Sequence, residues 1–249
     1  MTGASTGIGR AIALELAREG AGVVMVARGA ERLREAAEAV RRESGGEAVA
    51  VPADTSNDAS VARLVEEAVR QFGRIDVLVN NAAVAGGRAF PREASAVSLD
   101  GVAEDFAEKV LGYLRCAQAV IPYMRANGFG RIINIGGTAA RTTGAVSSSI
   151  RQVSVSAVSK NLADELGTSG VTVTTIHPGA TRTESLEEKF AASESGNLLE
   201  QLRAGSSISR LIEPQEVAWI IAFIASPKSA AVNGETITCG GGMRGVIYY

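Results

Sequence analysis

The sequence predicts a single α/β domain built on a parallel, doubly wound sheet. Short apolar runs rich in β-branched residues alternate with segments of helical periodicity along nearly the whole chain. The runs are continuously apolar, which is typical of strands covered by helices on both faces. The 249 residues suffice for one large domain, and no linker-like segment divides them.

The strand and helix patterns follow one another in regular order. The predicted strands are 23–27, 48–52, 75–80, 130–135, 171–176 and 235–238. The predicted helices are 10–18, 30–43, 57–72, 99–126, 153–167 and 214–225. On the last helix, Trp219 and Phe223 lie four residues apart, and this spacing predicts a core-facing pair. The polar segment 183–210 contains no predicted strand, and we expect an irregular, mobile lid there.

Composition excludes several classes of function. A net charge of −2 does not favour nucleic acid or an anionic membrane as a partner. No apolar run reaches the ~18 residues of a membrane span, and the polar, glycine-rich start is not that of a signal peptide. Cys116 and Cys239 form no redox or metal-ligand pattern. We therefore expect a cytoplasmic protein without a metal site, acting on a small-molecule substrate.

The segment Thr-Gly-Ala-Ser-Thr-Gly-Ile-Gly at 2–9 is the most informative motif. Gly3, Gly7 and Gly9 leave backbone N–H groups uncovered at the start of an amphipathic helix. Unpaired N–H donors and the positive end of the helix dipole together bind a diphosphate. The motif therefore predicts a dinucleotide site of the Rossmann type.

A loop of this kind normally follows a buried strand at the centre of the sheet. Here only Met1 precedes it. We expect that the first strand is truncated, either because the recorded start lies too far downstream or because upstream residues are missing. Loss of a central strand should remove much of the core.

Several motifs in register resemble the short-chain dehydrogenase/reductase family over nearly the whole chain. The loop at 2–9 matches the family's TGxxxGxG, and Asn80-Asn-Ala-Ala83 resembles its NNAG with Ala83 in place of Gly. Pro178-Gly179 is similar to the segment that contacts the nicotinamide, and 233–242 to the closing strand and glycine turn. The resemblance implies a cofactor site that comprises Gly3, Ser5, Thr6, Gly7, Ile8, Gly9, Arg28, Asp54, Asn80, Ala82, Pro178, Gly179, Thr181 and Thr183.

The strand predicted at 23–27 corresponds to the second strand of the family, and the residues at its end indicate the preferred cofactor. NAD enzymes place an acid there, which accepts hydrogen bonds from the adenosine ribose. Here Ala27 takes that position and Arg28 follows it. Without the carboxylate a 2′-phosphate is not repelled, and a guanidinium is suited to bind it. We therefore expect NADP(H) to be preferred over NAD(H), although a solvated loop arginine is the alternative interpretation of Arg28.

The family's catalytic Asn, Ser, Tyr and Lys are all changed. Counting back from Gln118 through Gly112 places Lys109 at the Asn position, and Gly136-Gly137-Thr138 stand where the Ser is expected. Counting back from the end of the active-site helix places Ser148 at the Tyr position and Gln152 at the Lys position. Counting forward from Gly137 would instead place Ile150 at the Tyr position. The candidate catalytic residues are Lys109, Thr138, Ser148 and Gln152.

A different register also fits part of the pattern. Ser156-Ala-Val-Ser-Lys160 resembles YxxSK with Ser in place of Tyr, and would make Lys160 the catalytic lysine. Arg141 and Arg151 are candidates for binding a substrate carboxylate or phosphate. His177, the only histidine, precedes Pro178 and is most simply a satisfied strand-end residue.

Three functions fit these residues. The first is an NADP(H)-dependent oxidoreductase for a carbonyl or alcohol, with a non-standard proton relay. The second is a non-redox enzyme on the same fold, such as a dehydratase, isomerase or cyclase, and the third is an inactive nucleotide-binding protein. The resemblance also implies a homodimer or homotetramer formed through the helices 99–126 and 153–167.

Overall fold

Parallel strands form the centre of the computed structural model, which describes residues 1–83, 93–143, 145–192 and 197–246, with Ala192 as backbone only. The strands within these ranges are β1 Val23–Ala27, β2 Ala48–Pro52, β3 Val77–Asn80, β4 Gly130–Ile135, β5 Val171–Pro178 and β6 Thr236–Cys239. The α-helices are α1 Gly7–Arg18, α2 Ala30–Ser44, α3 Asp58–Phe72, α4 Leu99–Phe106, α5 Gly112–Asn127, α6 Val146–Leu166, α7 Glu184–Ala192, α8 Leu198–Ala204 and α9 Pro214–Ala225. The predicted α/β class is confirmed.

The first two residues connect two sheets. Strands β1 and β2 pair in parallel, and β3, β4, β5 and β6 form a second parallel sheet in that order. Thr2 lies between them, bridging to Val26 and donating its backbone N–H to the Val79 carbonyl at 3.0 Å. Met1–Thr2 thus stands where the first strand of such a fold is expected. Toward the amino ends of β1 and β3, these two strands face each other across a cavity of about 400 Å³ with mainly aliphatic walls.

Helices cover both faces of the strands, as the doubly wound class requires. On one face α1, α2 and α9 pack over a core that includes Ile12, Leu33 and Ile221. On the other face α3, α5 and α6 pack over a core that includes Met124 and Leu166. Because the strands are parallel, their carboxyl ends lie at one common edge. Ligands bind at this edge in folds of this class.

Two helices differ from the sequence prediction in ways that affect the site. The predicted helix 99–126 is interrupted by a π-helical turn, Ala107–Leu111, between α4 and α5. Such turns insert a residue into a helix and are frequent at functional sites. Helix α6 begins at Val146, seven residues earlier than predicted, because its polar first turns are stabilised by buried contacts that periodicity does not reveal.

The prediction of an irregular segment at 183–210 was wrong, since α7 and α8 lie within it. Thr183 Oγ1 accepts a hydrogen bond from the Leu186 N–H at 3.3 Å and so caps the start of α7. The predicted burial of Trp219 and Phe223 was also wrong, as they are 56% and 50% exposed. Helix α9 is apolar on nearly all sides, so its periodicity could not identify the face that packs on the core.

Candidate functional site

A cleft of about 820 Å³ lies along the carboxyl ends of the strands. One side is formed by the glycine loop before α1 and by the residues that follow β1 and β2. The other side is formed by residues from the π-helical turn, the end of β4, the start of α6 and the end of β5. This position is the expected ligand site of a doubly wound sheet.

The glycine loop is shaped for close approach of a ligand to the backbone. Gly3 and Gly7 have φ values of +63° and +51°, which L side chains rarely adopt. A Cβ at Gly9 would lie 1.9 Å from the Gly3 carbonyl oxygen. Asn81 Nδ2 donates to that same oxygen at 3.0 Å and holds the loop against the end of β3. The residues present fit the diphosphate of a dinucleotide.

The part of the cleft next to β1 and β2 is where the resemblance predicts the adenosine of a dinucleotide. Two arginines line it, and no acidic residue directly follows β1. Arg28 and Arg32 both line the cleft, and Arg32 was not predicted from the sequence. Arg28 Nη2 lies 3.4 Å from Glu108 Oε1 on the opposite wall. Asp54 also lines this end, and hydrogen bonds from the Ser56 side chain and backbone hold the pKa of its carboxyl below the usual value. Two arginines and two carboxylates therefore face this end of the cleft, and Arg28 is paired with one of the carboxylates, that of Glu108.

One predicted cofactor residue lies outside the cleft. Asn80 is fully buried, and its Nδ2 donates to the Tyr113 carbonyl at 3.1 Å and to Asn134 Oδ1 at 2.9 Å. Asn81 and Ala82, which follow β3, line the cleft instead. The assignment of Asn80 to the cofactor site is corrected to a structural role behind the wall.

The remaining predicted cofactor residues border the cleft. They are Gly3, Ser5, Thr6, Gly7, Ile8, Gly9, Arg28, Asp54, Ala82, Pro178, Gly179, Thr181 and Thr183. In the turn after β5, Thr181 Oγ1 donates a hydrogen bond to the Gly179 carbonyl oxygen at 2.9 Å. A Cβ on Gly179 would approach the backbone of Gly240 to 2.7 Å, so the turn after β5 has no room for a larger residue.

The structure brings the four candidate catalytic residues together. Lys109, Thr138, Ser148 and Gln152 line the same end of the cleft, because α6 presents Ser148 and Gln152 on one face. In the other register Lys160 would be catalytic. Lys160 instead lies on the exposed side of α6, where it is paired with Asp164. Of the residues in the two registers, Ser148 and Gln152 line the cleft and Lys160 does not.

Lys109 is the unusual residue of this end. Its side chain is buried in the π-helical turn, and its Nζ lies 3.5 Å from the Gly136 carbonyl oxygen. Burial lowers the pKa of Lys109 to about 7; the positive charge of Arg151 adds to this effect and Asp105 opposes it. The amine can therefore gain and lose a proton near neutral pH.

A buried ion pair that the sequence interpretation missed lies behind Lys109. Arg151 Nη1 donates to Asp105 Oδ1 at 2.9 Å, and Ser147 Oγ donates to Asp105 Oδ2 at 2.9 Å. No local spacing could have indicated this pair, because 46 residues separate Asp105 from Arg151. Because Arg151 is neutralised by Asp105, it is not a free anion-binding group, although it lines the cleft.

Two buried polar atoms of the cleft wall have no hydrogen-bond partner among the described residues. They are Arg151 Nε and Gln152 Oε1. The Gln152 amide lies beside Gly137, where a Cβ would be 3.1 Å from its Nε2. Gln152 therefore packs against the turn that follows β4. Unsatisfied buried groups are uncommon and often mark functional sites.

His177 is a satisfied buried histidine, as predicted. Its Nδ1 accepts a hydrogen bond from the Gly137 N–H at 2.8 Å, and its Nε2 lies 3.2 Å from Ser156 Oγ. Burial, with the charges of Lys109 and Arg141, lowers its pKa to about 4. His177 is therefore neutral at physiological pH and fixes the turn after β4.

Tyr113 is the tyrosine nearest to Lys109 in the described chain, with its ring centroid 5.6 Å from Lys109 Nζ. Its hydroxyl donates to the Ile135 carbonyl at 3.0 Å. Burial raises the pKa of this phenol well above its usual value. Tyr113 is consequently a packing residue.

Two classes of site have no support in the described residues. Within residues 1–83, 93–143, 145–192 and 197–246, no group of three or more His, Cys, Asp or Glu side chains could hold a metal ion. No helix in these same ranges is both long enough and apolar enough to cross a bilayer.

The glycine loop, the strand order and the cleft together define a nucleotide-binding fold of the Rossmann type. A family model described as enoyl-(acyl carrier protein) reductase matches residues 3–244. The short-chain reductase protein NovJ of Streptomyces niveus is 34% identical over 247 residues, covering 97% of this chain and 92% of NovJ. The chain belongs to the short-chain dehydrogenase/reductase family and is an oxidoreductase of that type.

Solved structures of reductases share the same architecture. YwfH, an NADPH-dependent reductase involved in bacilysin biosynthesis, has a TM-score of 0.91 at 26% identity, covering 99% of this chain and 98% of its own. A point variant of the actinorhodin polyketide ketoreductase, solved with NADPH, has a TM-score of 0.89 at 30% identity, covering 99% and 96%. The fold of the chain is therefore shared with these reductases.

Proposed function

We propose that this protein is an NADP(H)-dependent oxidoreductase for a small carbonyl or alcohol substrate, in which Lys109 transfers the proton. The observation that carries the proposal is a buried lysine with a pKa of about 7 in the same cleft as the dinucleotide loop. A general acid or base is most effective when its pKa lies near the working pH. The NADPH-dependent or NADPH-bound relatives support the choice of cofactor.

The preference for NADP(H) is supported by the adenosine end. Arg28 and Arg32 line it, and Ala27 replaces the acid that would repel a 2′-phosphate. Of the two, Arg28 follows β1 directly, and we propose that it exchanges its contact with Glu108 for that phosphate. Gln152 takes the position of the family's lysine, and its unpaired amide oxygen can accept a hydrogen bond from a ribose or substrate hydroxyl.

When bound, the nicotinamide supplies or accepts the hydride. In reduction, the Lys109 ammonium donates a proton to the carbonyl oxygen and is left as a neutral amine, which solvent reprotonates. In oxidation, the neutral amine accepts the proton of the alcohol. The hydroxyls of Ser148 and Thr138 orient the substrate oxygen, since a serine hydroxyl is too weak an acid to replace a phenol.

The test compares Lys109→Met with Lys160→Met, a control on the exposed side of α6. Carbonyl compounds are screened by the loss of NADPH absorbance in the near ultraviolet. A positioned acid contributes roughly 10²–10⁴-fold, so Lys109→Met should lose about that much kcat and Lys160→Met very little. Equal activity of the two variants would end the catalytic role of Lys109.

The pH dependence gives a second, signed test. Reduction needs the protonated amine, so its rate should fall above a pH of about 7, and oxidation should rise over the same range. The two profiles should cross near the pKa of Lys109. A pair of profiles that both rise with pH would contradict proton donation by this residue.

A non-redox enzyme is the second candidate, and the loss of the family's Ser, Tyr and Lys favours it. The same Lys109 amine could remove a proton from a carbon next to a carbonyl. Ser5→Asp separates the candidates, because Ser5 lines the cleft in the glycine loop and a carboxylate there would repel a diphosphate. Activity that survives Ser5→Asp would support nucleotide-independent chemistry.

The partner that we propose is a second copy of the chain. Leu111, Ile150 and Val153 are 42%, 42% and 51% exposed on the helical side that family members use for dimers. Light scattering on the purified protein should give a dimer or tetramer, and Val153→Glu should shift it to a monomer. A monomeric wild-type protein would exclude this assembly.

A further inference from the structure

Within the described chain, one carboxylate from a distant segment reaches into the glycine loop. Glu184 Oε2 accepts a hydrogen bond from the Gly7 backbone N–H at 2.9 Å. Its other oxygen, Oε1, lies 3.3 Å from Arg10 Nη2 in the first turn of α1. The two contacts bind both oxygens of the carboxylate to the start of the helix.

This carboxylate satisfies a donor that the local sequence leaves open. Thr6 is the N-cap of α1, but its side chain makes no capping hydrogen bond. The first N–H groups of a helix have no partner within the helix, and the positive end of its dipole attracts an anion. Glu184 therefore serves as the cap of α1, although 177 residues separate it from Gly7.

The Gly7 N–H is also one of the donors that a diphosphate would use. Gly7, Ile8 and Gly9 line the cleft together with Glu184. Two anions cannot share one backbone N–H, and their like charges repel each other at close range. The carboxylate must leave the loop before a diphosphate can take its hydrogen bond.

The position of Glu184 links the loop to the segment that borders the cleft. Glu184 is the first residue of α7, and Leu186 and Lys189 of the same helix line the cleft. Release of the carboxylate would free the start of α7 from α1. Arrival of the nucleotide would then be coupled to a change at the wall of the cleft.

We infer that Glu184 is an internal competitor of the cofactor diphosphate and sets the affinity of the protein for its nucleotide. The inference rests on the proposed function, because it needs a dinucleotide in the glycine loop. The same carboxylate has two opposite effects: it stabilises the unliganded protein by capping α1, and it weakens nucleotide binding by occupying the Gly7 N–H.

The experiment measures both effects in Glu184→Ala and Glu184→Gln by calorimetric titration and thermal unfolding. An anion at a helix N-terminus contributes about 0.3–1 kcal/mol, so NADPH should bind roughly two- to fivefold more tightly to the variants. The unliganded Glu184→Ala protein should melt at a lower temperature than the wild type. The matched control is Glu187→Gln, on the same helix and paired with Arg182, which should leave NADPH affinity unchanged.

A second ligand separates competition at the loop from a general effect of charge. The probe 2′-AMP carries the adenosine and the 2′-phosphate but no diphosphate. Its affinity should be the same for Glu184→Ala and the wild type.

Three results would overturn the inference. They are unchanged or weaker NADPH binding by Glu184→Ala, equal tightening of 2′-AMP, and tighter NADPH binding without loss of unliganded stability. If wild type and variants all fail to bind NADPH, the proposed function fails as well. If the wild type binds and Glu184→Ala binds no more tightly, only the competition is refuted.

Discussion

Replacing Lys109 by Met should change the way in which the stability of the protein depends on pH. Methionine has nearly the length of lysine and no charge, so it fits the buried site without the cost of desolvating an ammonium. In the wild type, Lys109 has a pKa of about 7 in the folded state and its ordinary value of 10.5 in the unfolded state. The folded protein therefore binds fewer protons than the unfolded chain between these two values.

The sign and size of the effect follow from proton linkage. Because the unfolded state binds more protons between about pH 7 and pH 10.5, the free energy of unfolding rises with pH in this window. The rise is about 1.4 kcal/mol for each pH unit between the two pKa values. Over two pH units above neutrality, Lys109 alone should therefore add roughly 2–3 kcal/mol to the stability of the wild type.

The assay is denaturant unfolding of wild type and Lys109→Met across this pH range. Other titrating groups are common to both proteins and cancel in the difference between the two stabilities. We expect Lys109→Met to be the more stable protein near neutral pH and its advantage to shrink as the pH rises. A difference that stays constant with pH would show that Lys109 titrates normally, and the proposed acid–base role would lose its basis.

Three further substitutions test other parts of the site. Arg28→Glu should weaken NADPH binding by about tenfold or more and shift the preference toward NADH, because a carboxylate repels the 2′-phosphate. Calorimetric titration with both nucleotides measures the two affinities. Arg151→Met should lower the free energy of unfolding in urea by about 3–5 kcal/mol, since it leaves the buried Asp105 without its counter-ion. The double variant with Asp105→Asn should regain most of that stability. Gly136→Ala would place a Cβ 2.1 Å from His177 Nδ1 and should destabilise the protein by about 1–3 kcal/mol. Adding His177→Ala should suppress this loss of stability, and an unchanged melting temperature of Gly136→Ala would contradict the contact.

The features that could be predicted from the sequence are those that depend on local chemistry. The glycine loop needs unusual backbone angles and close approach, and both constraints act within a few residues of Gly3, Gly7 and Gly9. Continuous apolar strands between helical segments likewise define the doubly wound class. Lys109 could be found because its position can be counted back along the chain from Gln118 through Gly112.

The features that could not be predicted depend on which face of an element meets another element. Asn80 and Asn81 are adjacent and chemically identical, and only the packing at the end of β3 puts Asn81 at the cleft and Asn80 in the interior. Trp219 lies on a helix without a polar face, so no periodicity could reveal that it is exposed. The carboxylate of Glu184 reaches α1 from across the cleft, and no local pattern records such a contact.

The most direct test of the central claim is a calorimetric titration of the folded protein with NADPH and then with NADH. The claim is that the cleft holds an NADP(H) dinucleotide on the glycine loop, with Arg28 at its 2′-phosphate. We predict clear binding of NADPH and binding of NADH that is about tenfold weaker or more. Absence of binding of either nucleotide to a protein shown to be folded would contradict it.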